Sequence, residues 1–447
     1  MKGEDFLSKY RYFVDQKANA SNPLFCGPAS HTLHGPRIIF CFNKSLFFAV
    51  VLLVSACSSG GGSGGNASFS GAANVLPVTV ESPSGGVCGE GPNTPCTQVT
   101  ICTPNTNDCQ TISNILVDTG SSGLRIFQSL LTTPLPVQTG TNSLPVAECV
   151  LFGDGSAAWG PLEYADVYLG REGALNVPIQ VILNPDTTVS NTPGFTTAFQ
   201  NSCISNQGAT FPLDTPSNSG LDGILGIGYL KNDLVGYYYL CTDPNCSTGA
   251  PISNYSPTNP VQNPVFLLPV NNNGVILTFP PVSSNGASSV TGSLTLGIGT
   301  QSNNSLLLSN ADIYPIVLGT ITTTYSVTSI NTDLAGYIDS GTNLLLVPDT
   351  TNITACQSGS LFAGFYCSAA TRTAENIDVN GNPIQVVFQI ADTSSLNSNF
   401  NVFNNLGGPL TPSPSLGFDW GFPFFLGRTI YLGYGPAPGT SGPYFAY

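Results

Sequence analysis

Two short turns, 221 residues apart, constrain this chain more than any other feature. The first is Asp118-Thr119-Gly120-Ser121, reached through Ile115-Leu116-Val117 and followed by Ser122-Gly123-Leu124-Arg125. The second is Asp339-Ser340-Gly341-Thr342, reached through Ala335-Gly336-Tyr337-Ile338 and followed by Asn343-Leu344. An apolar strand running into such a turn fixes the backbone beneath the carboxylate. The glycine lets the chain turn and approach another segment closely. Hydroxyls on either side can orient the acid. A single Asp-Thr-Gly is a common surface turn. Two of them, each ending an apolar strand, are a far more specific signal.

The 447 residues suffice for two or more domains with sizeable cores. Gly and Pro are abundant (49 and 35), only 8% of residues are charged, and 41% are apolar. No long segment keeps a helical period. The composition therefore predicts an all-β protein rather than a disordered one.

Both histidines, His31 and His34, precede Cys57, as do six of the eleven Lys and Arg residues. From Cys57 onward, five basic residues (Arg125, Arg171, Lys231, Arg372, Arg428) face 22 acidic ones, a net charge of −17. Nucleic acid and anionic membrane surfaces are poor partners for such a chain. Without His, Ser-His and Cys-His nucleophiles and His-containing metal sites are excluded. Carboxylates remain as the acid–base groups, with no cofactor and no metal expected.

Arg37, Lys44 and the apolar run Leu46–Val54, closing on Ser55-Ala56-Cys57, read as an export signal. The run is too short to span a bilayer as a helix. Small residues before a Cys are similar to the bacterial lipoprotein signal. A simple signal peptide with an incidental Cys would look the same, but the Gly/Ser tether directly after it favours lipidation of Cys57. The expected division is a leader over 1–56, a flexible tether over 57–73, and β lobes over 74–268 and 269–447. Ten cysteines remain after Cys57, an even number that suggests disulfides in an exported protein. Spacing favours 88 with 96, 102 with 109, 241 with 246 and 356 with 367, which leaves 149 with 203. Connectivity is not fixed by sequence.

Along the chain, Val75–Val80 opens the folded part. Val99–Ile101 and Thr111–Ile115 suggest a hairpin around the 102–109 loop. Phe152-Gly153-Asp154-Gly155-Ser156, between strand-like runs, reads as a hairpin with a glycine-rich tip. Asn380-Gly381 marks another hairpin. Its acidic and amide residues miss the spacing of a calcium loop, so a turn is expected there.

The duplicated turn resembles that of pepsin-type aspartic peptidases over roughly residues 75–435. The resemblance implies a two-lobed all-β fold of double-psi barrels with few short helices. It implies Asp118 and Asp339 as a catalytic dyad holding one water between the lobes. Thr119 and Ser340 would brace the turns, with Gly120 and Gly341 at their bends, and Ser121 and Thr342 would hold the outer carboxylate oxygens. The hairpin at Phe152, Gly153, Asp154 and Gly155 would be a substrate-binding flap. Here the family's flap Tyr is Phe152, and the Trp after the first turn is Arg125; Arg125 could stack on Phe152 and join it in binding substrate. Asp222-Gly223-Ile224-Leu225-Gly226 resembles the family segment that crosses beneath the first turn, with Asp222 structural. Phe422–Gly427 stands in the matching place after the second turn.

The chain also resembles an uncharacterised bacterial family of exported proteins. That likeness rests on Asp-Thr-Gly-Ser-Ser-Gly-Leu-Arg (118–125), Asn-Asn-Gly-Val-Ile (272–276), Gly-Ile-Gly-Thr-Gln-Ser-Asn-Asn (297–304), Phe-Asp-Trp-Gly (418–421) and Pro-Phe-Phe-Leu-Gly-Arg (423–428). It carries no substrate. The expected function is an aspartic endopeptidase that acts on peptide or protein substrates. It would be a monomer, lipid-anchored at the bacterial cell envelope, facing the periplasm or the cell surface. The competing reading is a non-catalytic binding protein on the same scaffold. A third class, an adhesive surface protein, explains the anchor but not the duplicated turns.

Overall fold

The computed structural model describes residues 72–81, 91–183, 200–209, 211–213, 215–233, 236–242, 255–305, 311–327, 330–357, 362–410 and 417–447. The leader, the tether, Cys57, Cys88 and Cys246 lie outside these residues.

The molecule is all-β, with two lobes and only short helices. Among the described residues the strands form a fifteen-stranded and a seven-stranded sheet. The larger sheet carries the first Asp turn and passes into the second half through the first strand. That strand, Val75–Val80, alternates buried and less buried residues and pairs antiparallel with Val290–Leu296, Val78 opposite Gly292. The seven-stranded sheet carries the second turn. One apolar core runs through both halves, from Leu76 and Val117 to Leu345 and Phe425.

Each turn is framed by the same three-segment device. In the first half, Gly223–Ile227 runs parallel to the strand that ends at Asp118 and antiparallel to Ser122–Phe127, which leaves the turn. Asp118 pairs with Gly226. A Cβ on Gly226 would lie 2.8 Å from the Ser121 carbonyl carbon, so only glycine fits under the turn. In the second half, Gly417–Asp419 runs parallel to Ile330–Tyr337 and meets Leu345–Val347 antiparallel. A Cβ on Gly421 would stand 1.9 Å from the Leu344 carbonyl oxygen.

The second crossing is therefore Phe418-Asp419-Trp420-Gly421, six residues earlier than the sequence pattern suggests. Phe424 and Phe425 instead end the short helix Gly421–Phe425, and Leu426-Gly427 leads out of it through a turn. Gly427 is needed for its positive φ of 79° against Pro281, not for a crossing.

Three disulfides join 102 with 109, 149 with 203, and 356 with 367. Cys96 and Cys241 are also disulfide-bonded; their expected partners fall outside the described residues. Asp378 accepts the backbone N–H groups of Asn380 and Asn382, which closes the Asn-Gly turn between Ala370–Ile377 and Pro383–Ile390.

Candidate active site

The two turns meet back to back with near two-fold symmetry. Thr119 Oγ1 donates to the Ile338 carbonyl at 2.8 Å, and Ser340 Oγ donates to the Val117 carbonyl at 2.8 Å. Each hydroxyl oxygen accepts the other turn's backbone N–H: Thr119 N–H to Ser340 Oγ at 3.1 Å, Ser340 N–H to Thr119 Oγ1 at 2.9 Å. These four bonds are buried and cross between the halves, so neither turn can shift without the other.

The carboxylates are held in matching ways. Asp118 Oδ1 accepts from Gly120 N–H at 2.9 Å, and Oδ2 from Ser121 Oγ at 2.6 Å. Asp339 Oδ1 accepts from Gly341 N–H at 2.7 Å, and Oδ2 from Thr342 Oγ1 at 2.8 Å. Both Asp side chains are nearly buried. A Cβ on Gly120 would meet the Asp339 carboxylate at 2.6 Å. A Cβ on Gly341 would lie 2.5 Å from Asp118 Oδ1 and 3.1 Å from Asp339 Oδ1. The two Oδ1 atoms are thus no farther apart than the sum of those distances, a span one water bridges with two ordinary hydrogen bonds of about 2.8 Å. Ionising both would place like charges side by side in a poorly solvated site.

The hairpin of Val146–Leu151 and Ser156–Leu169 has its tip at 152–155. Gly155 takes φ 88°, and Ser156 N–H donates to Asp154 Oδ1 at 2.8 Å. Gly153, Asp154 and Gly155 are half-buried. Phe152 is turned inward, 5% exposed, among Leu116, Phe127, Val150, Leu213 and Ile224.

Arg125, expected beside substrate, is turned into the protein interior. It is fully buried and ion-paired to Glu148 (Nη2 to Oε2, 3.4 Å) and Asp233, and its Nη1 donates to the Ser122 carbonyl. Its Cζ lies 6.0 Å from the Phe152 ring centroid, the outer limit of a cation–π contact. The dominant partners are the two carboxylates. Burial pushes the Glu148 carboxyl up to about 8, against the pull of Arg125. Arg125 therefore ties the strand leaving the first turn to the hairpin strand Val146–Leu151 and to the 231–233 segment.

Sequence reading missed three residues near the site. Asn93 donates to the carbonyls of Asn343 and Phe403, while Asn343 donates to the Pro92 carbonyl and Thr94 Oγ1. This clamp holds the segment before Cys96 against the second turn. The signal available was a positive-φ Asn (Asn93, 56°), which sequence alone does not separate from an ordinary turn. The third is Asp419, fully buried behind the second turn.

No curated protein matches the sequence. Among solved structures the chain is similar to an aspartic proteinase from Irpex lacteus, at 20% identity and a TM-score of 0.46, covering 84% of this chain and 97% of that one. A family model described as "Protein of unknown function (DUF3443)" matches residues 70–447, and the chain belongs to that family.

Proposed function

We propose that the protein is an aspartic endopeptidase in which Asp118 and Asp339 activate one water against an extended peptide. The observation that supports this most is the pair of carboxylates held Oδ1 to Oδ1 by two complete, interlocked turns. The ionised member takes a proton from water as the water oxygen attacks the peptide carbonyl carbon. The protonated member donates to the carbonyl oxygen, which gives a tetrahedral diol with no covalent enzyme intermediate. Collapse passes a proton to the leaving amine. Neither role is assigned to one residue, because the proton belongs to the pair. The half-buried tip at 153–155 supplies a mobile cover and backbone groups for an extended strand. Export and lipid attachment at Cys57 complete the reading, supported by the signal-like run and by the disulfides.

One observation favours a second reading, a binding scaffold without turnover. Both hairpin-region side chains that depart from the pepsin pattern, Phe152 and Arg125, are buried. The test is hydrolysis of an unfolded protein at mildly acidic pH, blocked by a statine-type transition-state mimic and unaffected by serine- and metallo-protease inhibitors. Tight binding of the peptide without cleavage would select the scaffold.

A further inference from the structure

The two crossings differ at one register position. Leu116, two residues before Asp118, pairs with Ile224; Tyr337, two residues before Asp339, pairs with Asp419. Ile224 packs in an apolar cluster with Leu116 and Phe127. Asp419 takes the corresponding place at 0% exposure. Its Oδ1 accepts the Gly421 N–H at 2.8 Å, and its Oδ2 has no hydrogen-bond partner. The Thr342 hydroxyl donates to Asp339 Oδ2 and is also near enough to Asp419 to favour its charged form. That hydroxyl carries one proton, so it can serve only one carboxylate at a time.

The groups that face Asp419 are acidic or neutral. Asp118 acts on it directly, Asp339 through Thr342, and Tyr337 is its register partner. The Leu345–Val347 strand on its other side is apolar, and among the described residues no cation acts on it. A buried carboxylate with an unpartnered oxygen and no counter-charge is held neutral. Burial and the charge of Asp118 push it up to about 8.

We propose that Asp419 is a positioning residue for the dyad: while neutral it leaves the Thr342 proton on Asp339 Oδ2, and on ionising it competes for that proton and sets a further negative charge behind the dyad. The step involves no oxidant and no bond change beyond one proton leaving Asp419 for solvent. The neutral acid keeps the dyad in its working form through the acidic range. The ionised acid strips Asp339 of its outer hydrogen bond. The functional part rests on the peptidase reading; the coupling between the three acids does not.

The experiment tracks the carboxyl carbons of Asp118, Asp339 and Asp419 by ¹³C NMR in the full chain as pH rises from acid through about 8. The expected result is a step in the Asp118 and Asp339 signals at the midpoint of Asp419 itself, with Asp419→Asn removing the step. Asp118 and Asp339 signals that stay flat while Asp419 titrates overturn the proposal, as does an Asp419 already ionised in acid. If Asp419→Asn does not fold, coincidence or mismatch of midpoints in the unaltered chain decides. Failure of the peptidase reading looks different: no turnover at any pH, with the titration step present.

Discussion

The two Asp turns share a backbone and differ in what stands behind it. At the turns themselves the symmetry is close: the same N–H and hydroxyl donors hold each carboxylate, and the same glycine contact presses each against the other. Behind the first turn the crossing strand is apolar, Ile224 and Leu225 packing into the core, while the Arg125–Glu148–Asp233 cluster ties down the strand that leaves the turn. Behind the second turn the crossing itself carries an acid. Backbone geometry at the meeting point is thus imposed on both halves; on the proposed reading, a shared water needs both carboxylates in place. The supporting layer is under no such demand, and each half fills it with different chemistry.

The largest effects should come from breaking what the halves share. Gly421→Ala drives a methyl into the Leu344 carbonyl, and Gly226→Ala into the Ser121 backbone. Each should cost at least ~4 kcal/mol, the range of severe backbone clashes, with Gly421→Ala the worse. Chemical denaturation checks this, and similar stability to the parent would mean that the crossings are not rigid.

Next come the features that are not shared. Arg125→Ala leaves Asp233 buried without its cation and Glu148 without its charged neighbour, which should cost about 3–5 kcal/mol. The half-exposed Arg372, paired at 3.1 Å to a buried Asp349 that Tyr325 and Asn352 also hydrogen-bond, is the counter-example; Arg372→Ala should cost about 1–2 kcal/mol, less than Arg125→Ala. Glu148 also gives the first cluster a pH signature. Its folded carboxyl titrates near 8 against about 4.5 when unfolded, so the folded state holds a proton that the unfolded state has lost between those values. Stability should therefore fall as pH rises from about 4.5 to about 8, and Glu148→Gln should flatten that slope. Melting temperatures that rise over this window and do not respond to Glu148→Gln would contradict the assignment.

A smaller contrast lies in the outer hydroxyls. Ser121→Ala and Thr342→Val each remove one hydrogen bond to a charged group, worth about 1.5–3 kcal/mol, or roughly ten- to hundredfold in rate. Thr342→Val should be the more damaging of the two, because Thr342 lies against Asp419 as well as Asp339. Equal losses would indicate that the two halves behave alike after all.

What the sequence disclosed divides along the same line. The turns and the first crossing were legible because a reactive carboxylate needs fixed neighbours at fixed spacing, and a close backbone approach needs glycine. The second crossing was misplaced because Gly421 follows Asp419-Trp420 whereas Gly427 follows Phe425-Leu426, and an apolar-apolar-Gly pattern favours the latter. The true crossing breaks that pattern with Asp419. The role of Arg125 was hidden for another reason. Glu148 and Asp233 lie 23 and 108 residues from it, and nothing local marks either as its partner. Phe152 was legible as a hairpin residue, but the direction of its ring depends on the cluster it enters.

The central claim is that Asp118 and Asp339 work as one unit on one water. Turnover of an unfolded protein by wild type, Asp118→Asn and Asp339→Asn in the mildly acidic range tests it most directly. The swaps keep side-chain shape, so all three proteins should melt alike. The account predicts cleavage by the wild type, falling on both sides of an acidic optimum as the shared proton is doubled or lost, and none above background from either variant. Wild-type cleavage that survives either substitution, or no cleavage by any of the three, would contradict it.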